Sequence, residues 1–375
     1  MANGNRAANV GVPKAIGMNL ADVLQTTMQQ TTYTIPVHIP DLKFFHSPLP
    51  FPLEAGGVLP ELTIAYHTDG TLNAERDNVI WACHALTANS NVADWWAGLF
   101  GPGNVFDPER YFIVCANILG SCYGSTGPRS INPSTGKAYG LGFPLVTIRD
   151  WVNSNDLLRK HLDIQSIALC IGGSCGGHQV LEMAYLLRQR IKKMALLVTS
   201  ARETAWAVAI HEAQRMAMQA DPTFYEDKDS GGAAGMRAAR GMGLVTYRTF
   251  EAYQNGQTDT DDKLNDLKSA GYIQHQGKKL EQRFYAQCYW FLSKALDSHH
   301  IGRGRGGAAA ALGEMDIPAM VLSIDSDLLI PPSEQRFLAE HLPKAEFVTL
   351  KSPYGHDGFL IETERIGRIL AQFLQ

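Results

Sequence analysis

The stretch SIALCIGGSCGGHQVLEMAYLLRQR, residues 166–190, leaves a chain few folds to choose from. It opens on an apolar run without polar alternation, the signature of a strand covered on both faces. It closes with Val180, Leu181, Ala184 and Leu187 on one helical face. Between the two stands a single serine among Gly172, Gly173, Gly176 and Gly177. Strand, tight turn and helix in that order form the repeating unit of a parallel sheet wound on both sides. Comparable apolar runs at 61–68, 78–85, 111–117, 166–173, 193–200, 319–325 and 346–352 alternate with helical patterns. The chain is therefore predicted to be α/β, with a mostly parallel, doubly wound sheet.

Between residues 201 and 312 the pattern changes to Met-, Ala- and Arg-rich helical sequence with no strand signal, and the sheet resumes at DIPAMVLSID. This segment is predicted to be an inserted helical lid over the carboxyl edge of the sheet. The catalytic domain is then 36–200 together with 313–375, and the polar, Gln/Thr-rich residues 1–35 form a loosely ordered N-terminal extension. A net charge of −4 offers no electrostatic case for nucleic acid or an anionic membrane. No apolar run is long enough to span a bilayer, and the first residues lack the basic start and apolar stretch of a signal peptide, so a cytoplasmic protein is expected. The six cysteines include no C-x-x-C pair, which points to buried apolar residues rather than disulfides or structural zinc.

GGSCG at 172–176 fits G-x-S-x-G, a pattern that gains weight here because a buried strand precedes it and a helix follows. The serine of such a turn occupies a strained backbone conformation that lifts its hydroxyl clear, and glycines leave room for the neighbouring strand and helix. Ser174 is the candidate nucleophile. The backbone N–H of Cys175, at the helix start, points where an oxyanion would form, and the turn after an early strand, WACHALTANS, supplies the backbone N–H of Leu86 as the second donor. A serine needs a base, and the base an orienting acid, in chain order Ser, Asp, His. His356 follows the last strand. Asp325 and Asp327 both follow the strand before it, and position favours Asp327 as the one reaching into the loop. Asp357, adjoining the base, cannot orient it but is placed to bind a substrate ammonium.

Several longer stretches carry a resemblance. HALT (84–87), NILGSCYGSTGPRSINPSTGKAYG (117–140), FPLVTIRDWV (143–152), GGSCGG (172–177), SARETAWAVAIHEAQRMA (200–217), SDLLIPPSEQ (326–335) and GHDGFL (355–360) together resemble the homoserine O-acetyltransferase family. The likeness runs from about residue 35 to the C-terminus, through ARGMGLVTYRTF and LDSHHIGRGRGG. It implies an α/β-hydrolase fold with a helical lid, and transfer of an acetyl group from acetyl-CoA to the side-chain hydroxyl of L-homoserine for methionine synthesis. It implies Ser174 as nucleophile, Asp327 as acid, His356 as base, Arg202 for the substrate carboxylate and Asp357 for its ammonium. Acetyl-CoA is a co-substrate in that family, with no bound cofactor or metal, and the enzyme is a homodimer. Cys175 stands where the family commonly has Met, and HALTANSN departs from its more common Gly-Asp continuation. Related enzymes on this scaffold use succinyl-CoA or acetylate serine, and an esterase is the remaining alternative.

Two further motifs are set aside. GRGRGG (302–307) contains G-x-G-x-x-G but follows no strand, so it is expected to be a hinge closing the lid, near enough to the tunnel mouth for Arg303 and Arg305 to meet CoA phosphates. DSHH lacks the spacing of metal ligands.

Overall fold

The computed structural model describes residues 35–375, so almost all of the expected N-terminal extension lies outside the described residues. Eight strands form the main sheet: β1 Lys43–Ser47, β2 Leu62–Asp69, β3 Val79–Cys83, β4 Phe112–Ala116, β5 Ile167–Gly173, β6 Met194–Leu197, β7 Ala319–Ile324 and β8 Ala345–Leu350. Their spatial order is β1-β2-β4-β3-β5-β6-β7-β8. The β1/β2 and β2/β4 pairs are antiparallel, and every later pair is parallel.

All seven expected strands are present. The strand in the run at 193–200 ends at Leu197, because Val198, whose N–H still donates to the Leu322 carbonyl at 2.9 Å, turns to φ 44° and breaks the extended backbone. Within the main sheet, the strand that sequence reading missed is β1. It is a half-exposed edge strand, KFFHS, and lacks the continuous apolar run that marks its neighbours.

The expected burial on both faces is visible in β3. Val79, Trp81 and Cys83 join one core with Val114 and Val321, whereas Ile80 and Ala82 join the other with Ile113, Leu169 and Leu322. Helix α1, Ile148–His161, and helix α2, Cys175–Leu186, cover the first face through Trp151, Leu158, Val180 and Leu181. The C-terminal helix Thr363–Leu374 covers the second through Ile366, Leu370 and Phe373. All six cysteines are buried and free, as apolar packing residues would be.

Between β6 and β7 the chain is helical: α3 Ala205–Gln219, α4 Ala233–Tyr247, α5 Phe250–Gln257, α6 Lys268–Glu281, α7 Ala286–Asp297 and the short α8 Ala308–Gly313. The insertion is pinned at its neck. Arg202 and His300 form an antiparallel bridge, with Glu203 N–H donating to the His299 carbonyl and Ile301 N–H to that of Ala201, both at 2.9 Å. The Gly/Arg segment beyond it is fastened rather than loose. Arg303 pairs with Glu54, Arg305 pairs with Glu182 and stacks 3.8 Å over the Tyr185 ring. Those side chains are thus spent on the sheet domain rather than left open for phosphates. Among the described residues, no helix is long and apolar enough to cross a membrane.

Candidate active site

Ser174 caps the start of α2 with φ 56° and ψ −127°, a conformation costing a non-glycine residue about 1–3 kcal/mol. Its surroundings over-determine it. Its N–H donates to the Leu197 carbonyl at 2.9 Å, while its carbonyl accepts from Thr199 Oγ1 and Gly177 N–H, both at 2.9 Å. The turn is also too tight for side chains on either side. A Cβ on Gly172 would lie 2.4 Å from the Gly176 backbone, and one on Gly176 would lie 2.2 Å from the Cys83 carbonyl oxygen.

The carboxyl ends of β5, β7 and β8 bring three residues together. Ser174 Oγ lies 2.8 Å from His356 Nε2, and His356 Nδ1 lies 2.7 Å from Asp327 Oδ2. An ionised Asp327 can only accept, so Nδ1 carries the ring proton, which leaves Nε2 free to accept from the serine hydroxyl. Asp327 is itself held in place, since its Oδ1 accepts from the N–H groups of Leu329 at 2.9 Å and Ile330 at 3.0 Å. Asp325 has a different task. It is exposed, and its carboxylate accepts from Ser352 N–H at 3.0 Å, tying the end of β7 to the end of β8. Burial pulls the His356 pKa down, but the Asp327 carboxylate, its hydrogen bond, and the acids of Asp357 and Glu203 outweigh that and raise it above the ordinary value of 6.5.

These residues open into a cavity of about 310 Å³ between the sheet edge and the inserted helices. Leu86, Cys175, Ser174, His356 and Asp357 all line it. Cys175 is the first residue of α2, so its N–H has no intrahelical acceptor and is available to the cavity. Asp357 already has a partner within the protein, its Oδ2 accepting from Arg248 Nε at 2.7 Å.

Arg202 does not reach this cavity. It is exposed and borders a separate surface pocket with Asp297, Ser298, His300 and Glu334. In the neck strand it is the adjoining Glu203 that lines the catalytic cavity, and Glu203 borders the surface pocket as well. The cations lining the cavity are instead Arg240 of α4 and Arg283, between α6 and α7. Sequence reasoning missed both. Arg240 and Tyr247, seven apart, do share a helical face and both line the cavity, but nothing in the sequence says which face of α4 meets the sheet.

Glu203 adds an unexpected group. Burial, with the Asp297 charge adding to it, pushes its carboxyl up to about 7. Behind it, His178 Nε2 donates to Ser200 Oγ at 3.3 Å, and the Ser200 hydroxyl donates to the Arg202 carbonyl at 2.8 Å. The remaining His178 Nδ1 lies 3.9 Å from the Glu203 carboxyl.

The family model for the alpha/beta hydrolase fold matches residues 78–363, which contain the whole of this site. A curated homoserine O-acetyltransferase from Chlorobaculum parvum is 46% identical over 351 residues, covering 92% of this chain and 98% of its own. The chain belongs to the homoserine O-acetyltransferase family. Of the solved structures, homoserine O-acetyltransferase from Bacillus anthracis superposes with a TM-score of 0.81 at 24% identity, covering 90% of this chain and 98% of that one. Esterase E22 superposes with a TM-score of 0.83 at 23% identity, covering 89% and 99%. At those identities both speak for the fold alone. Within the homoserine O-acetyltransferase family, this chain carries the serine, histidine and aspartate in hydrogen-bonding contact.

Proposed function

We propose that this chain transfers an acetyl group from acetyl-CoA to the side-chain hydroxyl of L-homoserine by way of an acetylated Ser174. The observation that carries the reading is the likeness to homoserine O-acetyltransferases at 46% identity over nearly the whole chain, joined to a cavity that opens on a hydrogen-bonded Ser174, His356 and Asp327.

His356 Nε2 takes the Ser174 proton as the serine oxygen attacks the thioester carbonyl. The tetrahedral oxyanion rests on the N–H groups of Leu86 and Cys175, favoured further by the amino end of α2. As the intermediate collapses, the C–S bond breaks and His356 returns the proton to the CoA thiolate, leaving acetyl-Ser174. Homoserine enters, His356 removes its hydroxyl proton, and attack on the acyl carbonyl passes through a second oxyanion in the same place. Collapse breaks the acyl–serine bond, and His356 gives the proton back to Ser174.

The acceptor is an α-amino acid, so the site must hold a carboxylate and an ammonium. Arg240 is the assignment for the carboxylate in place of Arg202, since a guanidinium grips a carboxylate with two donors and Arg240 lines the cavity. Asp357 is the assignment for the ammonium. The inserted helices act as the lid, and by enclosing the acyl-serine they keep water from competing with homoserine. A cytoplasmic homodimer, using acetyl-CoA as co-substrate without a bound cofactor, belongs to the same proposal.

Thiol release tests the reading, followed with acetyl-CoA and separately succinyl-CoA, each with L-homoserine, L-serine or no acceptor. Fast release that needs both acetyl-CoA and homoserine supports it. Release independent of acceptor would make the chain a hydrolase, and preference for succinyl-CoA or serine would keep the mechanism but change the substrates. Arg240→Ala is expected to raise the homoserine KM, while Arg202→Ala leaves it unchanged. The reverse pattern would restore the carboxylate to Arg202.

A further inference from the structure

The turn after β3 is fastened on two sides. Ala88 N–H returns to the Ala85 carbonyl at 3.0 Å, which makes Leu86 and Thr87 the central residues of a β-turn. The Ala85 carbonyl also accepts from His84 Nδ1 at 2.8 Å. That tautomer is fixed, because Ile118 N–H donates to His84 Nε2 at 3.3 Å, and burial holds the imidazole neutral by lowering its pKa to about 4. The Ala85 carbonyl and the Leu86 N–H share one rigid peptide plane, so these bonds aim the N–H as well.

The far side of the turn is held from outside the sheet. Arg283 donates to the Thr87 carbonyl, to the Thr87 hydroxyl at 3.4 Å and to the Tyr123 hydroxyl at 2.7 Å. Tyr123 in turn donates to the same Thr87 carbonyl at 3.5 Å, and its ring packs edge-on against Phe284. Arg283 comes from the link between α6 and α7, so the contact joins the inserted helices to the turn that bears Leu86. A guanidinium spent on a turn carbonyl and two hydroxyls inside the cavity wall fixes geometry, since five donors in a rigid fork lock their acceptors in place.

We propose that Arg283 is a positioning residue for the oxyanion turn, through which the seating of the inserted helices sets the aim of the Leu86 N–H. The inference rests on the reading of Leu86 as an oxyanion donor. Arg283 touches neither substrate nor the reacting atoms in this role. Because one oxyanion site serves both half-reactions, displacing the turn slows acylation and transfer together while acceptor binding stays as it was.

The test is the rate of Ser174 acylation by p-nitrophenyl acetate in the full-length chain, which needs neither CoA nor homoserine, set beside kcat and the homoserine KM in the complete reaction. Deleting an oxyanion donor outright costs about 10²–10³-fold, so Arg283→Gln, which loosens the donor without removing it, is expected to slow acylation and kcat by roughly 10–10²-fold at unchanged KM. Arg283→Lys keeps one donor and is expected to recover part of that rate. Unchanged acylation in Arg283→Gln overturns the proposal, as does a loss that appears only in the homoserine KM. If Arg283→Gln yields no soluble protein, Arg283→Lys decides, with slowed acylation at unchanged KM supporting the role and a wild-type rate refuting it. Wild-type protein that acylates normally yet ignores homoserine would sink the transferase reading while leaving the Arg283 test intact.

Discussion

On the proposed mechanism, His356 accepts the Ser174 proton only while its Nε2 is bare, so activity is expected to follow the neutral imidazole. Its pKa is raised chiefly because Asp327 outweighs burial, so kcat/KM is expected to climb with pH through a midpoint above the ordinary 6.5 of histidine. Asp327→Asn removes both the charge and the tautomer control. A pH–rate profile of that variant should show the limb moved to lower pH and a kcat lower by about 10⁴-fold, and a limb that stays put would mean another group is titrating. Glu203 makes an opposite kind of statement, about stability. Its folded-state pKa of about 7 lies above the ordinary 4.5, so the stabilisation is complete below 4.5 and is lost as pH rises toward 7. Urea melts at pH 5 and pH 8 should therefore show Glu203→Gln gaining on wild type by roughly 2–3 kcal/mol at the higher pH. Equal shifts in both proteins would show that the carboxyl does not titrate there.

The unit that bears Ser174 is β5, its turn and α2. Gly176→Ala would press a methyl against the Cys83 carbonyl oxygen, 2.2 Å away, on the strand whose following turn bears Leu86. Such overpacking costs about 1–3 kcal/mol, and thermal melts with parallel kinetics should show lower stability and a kcat that falls more than KM rises. An alanine variant of normal stability and rate would mean the turn has slack. This unit is legible in the amino-acid sequence, because close packing around Ser174 demands glycine at fixed offsets and burial on both faces demands unbroken apolar runs. The edge strand β1 is not, since a half-exposed strand such as KFFHS needs no apolar run to pair. Nor is the acceptor side of the cavity. Whether Arg202 or Arg240 enters it depends on which side of the neck strand and which face of α4 turn inward, and that is decided by packing between segments far apart in sequence.

At the scale of the molecule, the sheet gathers at its carboxyl edge what the sequence disperses: Leu86 after β3, Ser174 after β5, Asp327 after β7 and His356 after β8. The inserted helices complete the chamber, contributing Arg240, Tyr247 and Arg283 to its wall. On the proposed mechanism, an enclosed acyl-serine separates transfer from hydrolysis on a fold similar to that of esterase E22. The measurement that tests this most directly is mass spectrometry of the chain after brief exposure to acetyl-CoA alone and after addition of L-homoserine. One acetyl group on the peptide bearing Ser174, stable in water and discharged on adding homoserine, is the expected result. An adduct that vanishes equally fast without homoserine, or that survives in Ser174→Ala, would contradict the account.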